Sequence, residues 1–325
     1  MRIVTGDDIR SICSWPFAVE ALRAGHRMPP ADLRDSLVEN AGRKMLVRTA
    51  WIPGLASGVK AVTIYPDNPS AEPARPSVQG QVLLFDEARG DVVAVLEGVD
   101  LTAWKTAGDS ALGSSCLSRT NISTMLMVGA GSMARPLIDA HRSVRPSLDR
   151  VMIWNRNIAR AEALVQSLEA DGITAEAVTD LDEAVSRADL ISSATMSTEP
   201  LIRGEALKPG AHVDLVGAYT PSMREADDAA LTRGRLFVDS YATTVGHIGE
   251  VMIPLKSGVI STADIQGDMH DLVQGKAGRR SDDEITVFKN GGGAHLDVMM
   301  AHAVYLALKG RSRGGEGAGR GPSLR

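Results

Sequence analysis

Residues 125–134 read Met-Leu-Met-Val-Gly-Ala-Gly-Ser-Met-Ala, an apolar strand running straight into a GxGxxA loop that opens a helix. No other stretch restricts the fold as strongly. Gly129 permits the tight turn, Gly131 lets the backbone come close to a pyrophosphate, and Ala134 lets the helix lie near the strand. The helix start, led in by Ser132 and Met133, offers free N–H groups and the positive end of its dipole to phosphate. A lone match of this kind is weak, since glycine turns are common. Its context is what gives it force. RVMIWN follows as a second strand, IARAEALVQSLEAD carries apolar residues at helical spacing, and ITAEAVT, LDEAVSRA, DLISSAT, AHVDLVGA, MREADDAALTRG and RLFVDS continue the alternation. Such a rhythm predicts a parallel sheet with helices on both faces. A Rossmann-type, dinucleotide-binding domain is therefore expected.

The end of the second strand bears on which dinucleotide is bound. An acid there would take the 2′-hydroxyl of NAD, yet Val151–Trp154 runs into Asn155-Arg156-Asn157 with no carboxylate. Arg156, beside Asn155, suits a 2′-phosphate, which a guanidinium grips bidentately; the bland alternative is an exposed arginine in a turn. NADPH is the expected cofactor, with NADH possible. Thr195, closing the strand DLISSAT, either lines the cofactor or satisfies local backbone groups.

The first 115 residues lack this rhythm. AVTIYPDN, VLLFDEARGD and VVAVLEG read as strands joined by turn-forming segments, with helices before them and around TAWKTAGDSALGSSCL, an α+β pattern. A helical stretch, AHLDVMMAHAVYLALKG, returns to this part of the chain after a glycine run. With 325 residues and 34.4 kDa, two domains are expected. The fold class is α/β, with an α+β domain over 1–115 rejoined by 294–310 and a Rossmann-type parallel-sheet domain over 116–293. Residues 311–325, rich in glycine and arginine, cannot offset their ordering entropy and are expected to form a disordered tail.

Composition removes several function classes. A 44% hydrophobic and 23% charged chain is an ordinary globular one. Its 35 basic and 40 acidic residues, net −5, make no field for nucleic acid or an anionic membrane. No apolar run approaches the roughly 18 residues of a membrane span, and MRIVTGDDIR is no signal peptide. Cys13 and Cys116 are too few for a disulfide framework or a cysteine-rich zinc site, so a cytoplasmic protein is expected. HExxH, P-loop and GxSxG motifs are absent, and the seven histidines (26, 141, 212, 247, 270, 295, 302) lack ligand spacing, so no metal is expected.

Three cations stand in otherwise apolar or small surroundings: Arg48 in LVRTAW, Lys60 in SGVKAVTIYPDN and Lys105 in LTAWKTAGDSA. Lys60 is read as opening a strand, where burial is costly unless an anion meets it. Lys105 is read as lying near a helix start, where an anion is also favoured. Singly, each fits a snorkelling surface cation, and spacing alone does not bring them together. Thr106 either touches substrate or nicotinamide, or bonds locally. Asp297 is either a charge favoured by the dipole of the helix it opens or a group facing the nicotinamide site.

On GVKAVTIYPDN, QVLLFDEARGDVVAVLEGVDLTAWKTAG, MLMVGAGSMA, VMIWNRNIARAEAL and VDLVGAYTPSMREAD the chain resembles the ornithine cyclodeaminase/mu-crystallin family, over roughly residues 40 to 305. The resemblance implies a homodimer whose first domain carries both the subunit interface and the substrate site. It also implies a choice among ornithine or lysine cyclodeamination, alanine dehydrogenation, reduction of cyclic ketimines, and the NADPH binding of mu-crystallin. Two departures narrow it. Where the cyclodeaminases have an acid/base aspartate two residues before a proline, this chain has Tyr219, then Thr220 and Pro221; a phenol with an ordinary pKa near 10 is a poor base at neutral pH. The version GAYTPSMREADD instead resembles the Δ1-pyrroline-2-carboxylate reductases of hydroxyproline catabolism. The family's usual RTAA is KTAG, so Lys105 replaces an arginine, and Arg48 stands in for the upstream arginine that holds the substrate carboxylate. The expected activity is NAD(P)H-dependent reduction of a small cyclic imino acid. Lys60 is the catalytic candidate, and Arg48, Lys60, Lys105 and Thr106 are the substrate-binding ones. The expected cofactor set is Gly129, Gly131, Ser132, Met133, Ala134, Asn155, Arg156, Thr195 and Asp297.

Overall fold

The computed structural model describes residues 1–316, which divide into two compact units, one of residues 1–105 with the chain from 293 onward and one of residues 106–292. The first junction lies inside a helix, ten residues before the expected boundary at 115. The closing helix runs to Glu316, so the opening of the expected tail continues that helix, and residues 317–325 lie outside the described residues.

In the first unit, strand β1 (Arg2–Val4) leads into helices α1 (Gly6–Ile12) and α2 (Trp15–His26). Thr5 and Asp8 form a capping box on α1, and the Ser14 hydroxyl caps α2, satisfying orphan N–H groups that would otherwise oppose helix formation. Strands β2 (Asp32–Asn40), β3 (Arg43–Ile52), β4 (Ala56–Ile64), β5 (Val78–Phe85) and β6 (Val92–Glu97) follow. The sheet order is β1-β6-β5-β4-β3-β2, antiparallel except for the β1–β6 pair. The helices expected ahead of AVTIYPDN are α1 and α2, and the β2–β3 hairpin between them and β4 is a further element that the sequence reading did not name. Its turn uses Ala41 at φ 48° and Gly42 at φ 77°.

Helix α3 (Gly98–Leu117) carries the chain into the second unit. There β7 (Thr124–Val128), α4 (Ala134–Val144), β8 (Arg150–Trp154), α5 (Ile158–Ala170), β9 (Thr174–Val178), α6 (Leu181–Arg187), β10 (Leu190–Ser193) and β11 (His212–Leu215) alternate in chain order. After them come α7 (Asp228–Arg233), β12 (Arg235–Val238), α8 (Tyr241–Thr244), α9 (Gly249–Ser257), α10 (Met269–Val273) and β13 (Thr286–Lys289). The sheet is parallel throughout, ordered β12-β13-β11-β10-β7-β8-β9. Strands buried on both faces need near-continuous apolar runs, which MLMV and VMI provide at zero exposure. Strand order reverses between β7 and β10, and ligands of such sheets bind outside the carboxyl ends of the strands at that point. Both the parallel Rossmann-type unit and the α+β unit agree with the fold class read from the sequence.

The last helix, α11 (Ala294–Glu316), returns to the first unit and packs on β3, β4, β5 and α2. Met299 fills the space beside Gly25, and Val298 fills that beside Gly58.

Candidate active site

Strand β4 explains the candidate site of the first unit. Its buried face is Ala56, Gly58 and Lys60 in alternation. Lys60 therefore lies in the strand's middle, not at its opening, and points to the side on which α11 packs. Arg48 of β3 is its direct cross-strand partner, and Asp35 of β2 is the partner of Arg48. The Lys60 ammonium donates to Asp297 Oδ1 at 2.8 Å and to Thr102 Oγ1 at 2.6 Å. Lys105 Nζ stands 3.6 Å from Asp297 Oδ2. Arg48 lies against Asp35 through Nε at 2.9 Å and Nη2 at 2.8 Å. Lys60, Lys105 and Asp297 are 7%, 4% and 1% exposed, so none of them is a snorkelling surface charge. The three cations, which spacing could not bring together, converge in the folded unit.

Lys105 departs from its expected setting. Helix α3 begins at Gly98, which puts Lys105 two turns in, beyond the reach of the dipole's end; its anion is Asp297. Asp297 opens α11, as expected from the glycine run before it, but it lies in the first unit, paired with lysines of that unit. Burial works to raise its carboxyl, and Lys105, Lys60 and Arg48 outweigh this and hold it below the ordinary value. Two ammonium groups thus share one buried carboxylate, an arrangement suited to a further anion such as a substrate carboxylate.

The second unit has its own candidate site at the carboxyl ends of its parallel strands. Gly129, directly after β7, has φ 105°, and a side chain there would stand 2.9 Å from the Ala194 carbonyl oxygen. Gly131 and Ser132 are exposed, and a Cβ on Gly131 would meet nothing within 4 Å. That open space over a backbone is what a pyrophosphate needs. Met133 precedes α4 without a side-chain cap; the Ala134 N–H bonds back to the Gly131 carbonyl at 3.0 Å and Pro136 has no N–H, so few of the helix's first donors face outward. Ala134 is buried. Asn155 accepts from the Ala130 N–H at 3.2 Å and donates to the Asn157 carbonyl at 2.8 Å, bracing the loop from the end of β8. Arg156 is exposed beside it. The open backbone at Gly131 and the exposed guanidinium of Arg156 fit a dinucleotide.

Thr195 donates both its N–H (2.8 Å) and its hydroxyl (2.9 Å) to Glu225 Oε1. Thr106 is half-buried, and its carbonyl accepts from Asn290 Nδ2 at 3.0 Å. Tyr219, where the cyclodeaminases carry their aspartate, is 61% exposed in the loop after β11.

Several polar residues escaped the sequence reading. Thr102, which meets Lys60, is an ordinary helix threonine to the eye. Ser114, His141 and Asp214 line up with 3.0 and 3.1 Å contacts, like a nucleophilic triad, but each is 0% exposed, so they form a core network beyond the reach of substrate. Asp239 accepts from Ser240 N, Gly291 N, Gly292 N and the Thr244 hydroxyl; burial, then the charge of Asp109, pushes its carboxyl up to about 6. The visible signal was polar residues closing apolar strands, each of which needs a partner once buried.

A Rossmann-type unit with an open glycine loop, in one chain with an α+β unit holding a buried lysine–aspartate cluster, defines a protein of the dinucleotide-binding class. The chain belongs to the ornithine cyclodeaminase/mu-crystallin family, whose sequence model matches residues 35–312. A Δ1-pyrroline-2-carboxylate reductase of Paracoccus denitrificans is 48% identical over 300 residues, covering 91% of this chain and 94% of that one. The structure of Thermococcus litoralis Δ1-pyrroline-2-carboxylate reductase in complex with NADH and L-proline superposes with a TM-score of 0.88 at 26% identity, covering 96% of this chain and 98% of that one. An archaeal alanine dehydrogenase dimer with bound NAD gives 0.86 at 26% identity, covering 100% and 99%.

Proposed function

We propose that this protein is an NAD(P)H-dependent reductase of cyclic imino acids, converting Δ1-pyrroline-2-carboxylate to L-proline and Δ1-piperideine-2-carboxylate to L-pipecolate. The observation that carries the reading is the pair of buried ammonium groups, Lys60 and Lys105, on the single carboxylate of Asp297. The substrate carboxylate is the second anion of that cluster. Asp297 and Thr102 hold the Lys60 ammonium by two hydrogen bonds, so the charge that receives the substrate is oriented before it arrives. Lys105 adds a point charge, and Arg48, held by Asp35, adds long-range attraction.

A bound reduced nicotinamide supplies hydride to the imine carbon. The chain's task is to orient that carbon and to keep the imine protonated, with the proton coming from solution or an ordered water. This chemistry needs no carboxylate base at position 219, where a phenol stands, and that favours imine reduction over cyclodeamination. Gly129, Gly131, Ser132, Met133 and Ala134 cradle the pyrophosphate. Asn155 and Arg156 receive the adenosine ribose, where the lack of an acid and the exposed guanidinium favour NADPH over NADH.

The same reading makes the protein a cytoplasmic homodimer acting in hydroxyproline breakdown. The free thiols of Cys13 and Cys116 suit a reducing compartment. Edge strand β2 supports self-association, since its Leu37 and Val38 are 53% and 63% exposed. The deciding assay follows 340 nm absorbance with NADPH or NADH and each cyclic imine, beside ornithine or alanine with oxidised cofactor. Loss of absorbance with the cyclic imines supports the proposal. Ammonia release from ornithine, alanine oxidation alone, or cofactor binding with no turnover would replace it with a cyclodeaminase, an alanine dehydrogenase or a binding protein.

A further inference from the structure

Glu225 lies between the ends of two parallel strands and is 0% exposed. Its Oε1 accepts from the Ser193 hydroxyl at 2.6 Å, the Thr195 N–H at 2.8 Å and the Thr195 hydroxyl at 2.9 Å. Its Oε2 accepts from the Gly217 N–H at 2.6 Å and the Ala218 N–H at 3.2 Å. One carboxylate therefore ties the loop leaving β10 to the loop leaving β11. The tie is close. A Cβ on Gly217 would stand 2.0 Å from the Thr195 carbonyl oxygen, and one on Gly129 would stand 2.9 Å from that of Ala194. The β10 loop is thus pressed between the dinucleotide turn on one side and the β11 loop on the other. Glu225 is in turn fixed from behind, because the Glu250 carboxylate accepts from the Glu225 N–H at 2.8 Å and the Ala226 N–H at 3.0 Å.

We infer that Glu225 is a positioning residue for the dinucleotide site, holding the Ala194–Thr195 and Gly217–Ala218 backbones in the places that a bound cofactor requires. It acts through these loops and touches no ligand. The inference rests on the proposed dinucleotide site and deepens it. The chemistry also dictates the probe. Three of the five donors are backbone N–H groups, and they approach both oxygens. A glutamine has the same shape, but its amide NH2 must face either Thr195 N–H or those of Gly217 and Ala218, donor against donor. Glu225→Gln therefore severs one loop while filling the same space.

The experiment measures NADPH affinity by its fluorescence on binding, the KM for the cyclic imino acid at saturating cofactor, and the melting temperature. For E225Q we expect at least tenfold weaker NADPH binding and a lower kcat, with the imino-acid KM changed less than threefold. If E225Q fails to fold, Ser193→Ala is read instead; Ser193 is fully buried, and its loss should weaken NADPH binding several-fold in the same direction. Unchanged NADPH affinity in folded E225Q, or in S193A where E225Q is lost, overturns the inference, as does an equal rise in both constants. Wild-type protein that binds NADPH but reduces no cyclic imine sinks the reductase reading alone, because the positioning role is read from binding. Wild-type protein that binds no dinucleotide overturns both.

Discussion

A positive side chain in an apolar strand has two fates, reaching for solvent or meeting an anion, and Lys60 takes the second. The sequence made this cation conspicuous but could not show its partner, because Asp297 is 237 residues away and reaches it only when α11 folds back onto β4. Glu225 was hidden differently: in the run Arg224-Glu225-Ala226-Asp227-Asp228 a carboxylate reads as one more solvated charge. Arg156 draws notice through an absence, that of an acid after β8, which is visible in the chain. Arg156→Glu should raise the KM for NADPH roughly 10- to 100-fold, the loss of a charged hydrogen bond or two, while the KM for NADH changes little; steady-state titration of both cofactors checks this. His212 carries a stability prediction. Full burial drives its imidazole down to about 3 from 6.5, so the native state refuses a proton that the unfolded chain accepts. The neutral ring's contribution is complete above pH 6.5 and is lost as the pH falls toward 3. The difference in melting temperature between wild type and His212→Gln should therefore shift against the wild type across that window, and a pH-independent difference would refute it.

Among the elements, those with strong periodicity were legible and those without it were not. The βα alternation after Ile122 is readable because buried parallel strands leave apolar blocks that punctuating glycines and caps separate. The β2–β3 hairpin was missed for a physical reason. Every residue of β2 but one is exposed, so no apolar–polar alternation marks it, and its Ala41-Gly42 turn lacks the Asn-Gly signature of tight hairpins. Two loops of the second unit test the account with one kind of substitution. Gly131→Ala adds a methyl where the protein has nothing within 4 Å, so the melting temperature should hold while the dinucleotide binds at least several-fold more weakly. Gly217→Ala drives a methyl into the Thr195 carbonyl, so about 3 kcal/mol or more of stability should go. Calorimetry and cofactor titration on the two variants separate ligand space from packing space.

At the scale of the whole molecule, one unit holds the buried cations and the other the glycine loop and Arg156. Two units and the return of the chain near residue 293 followed from length and rhythm, but the first junction did not, because it lies inside an unbroken helix with no change in composition at Lys105. The homodimer proposed from the exposed apolar edge is tested by mass. Light scattering should give twice 34.4 kDa for the wild type, and Val38→Lys on edge strand β2 should shift the mass toward one chain; a wild-type monomer would remove the dimer from the account. The most direct test of the central claim is kcat/KM of Lys60→Ala with Δ1-pyrroline-2-carboxylate, alongside its affinity for NADPH. With the ammonium gone, kcat/KM should fall about 10- to 150-fold, the worth of a charged contact in a dry site, and NADPH should bind as before. A variant that keeps kcat/KM within about threefold of wild type would mean that the substrate's carboxylate is held elsewhere.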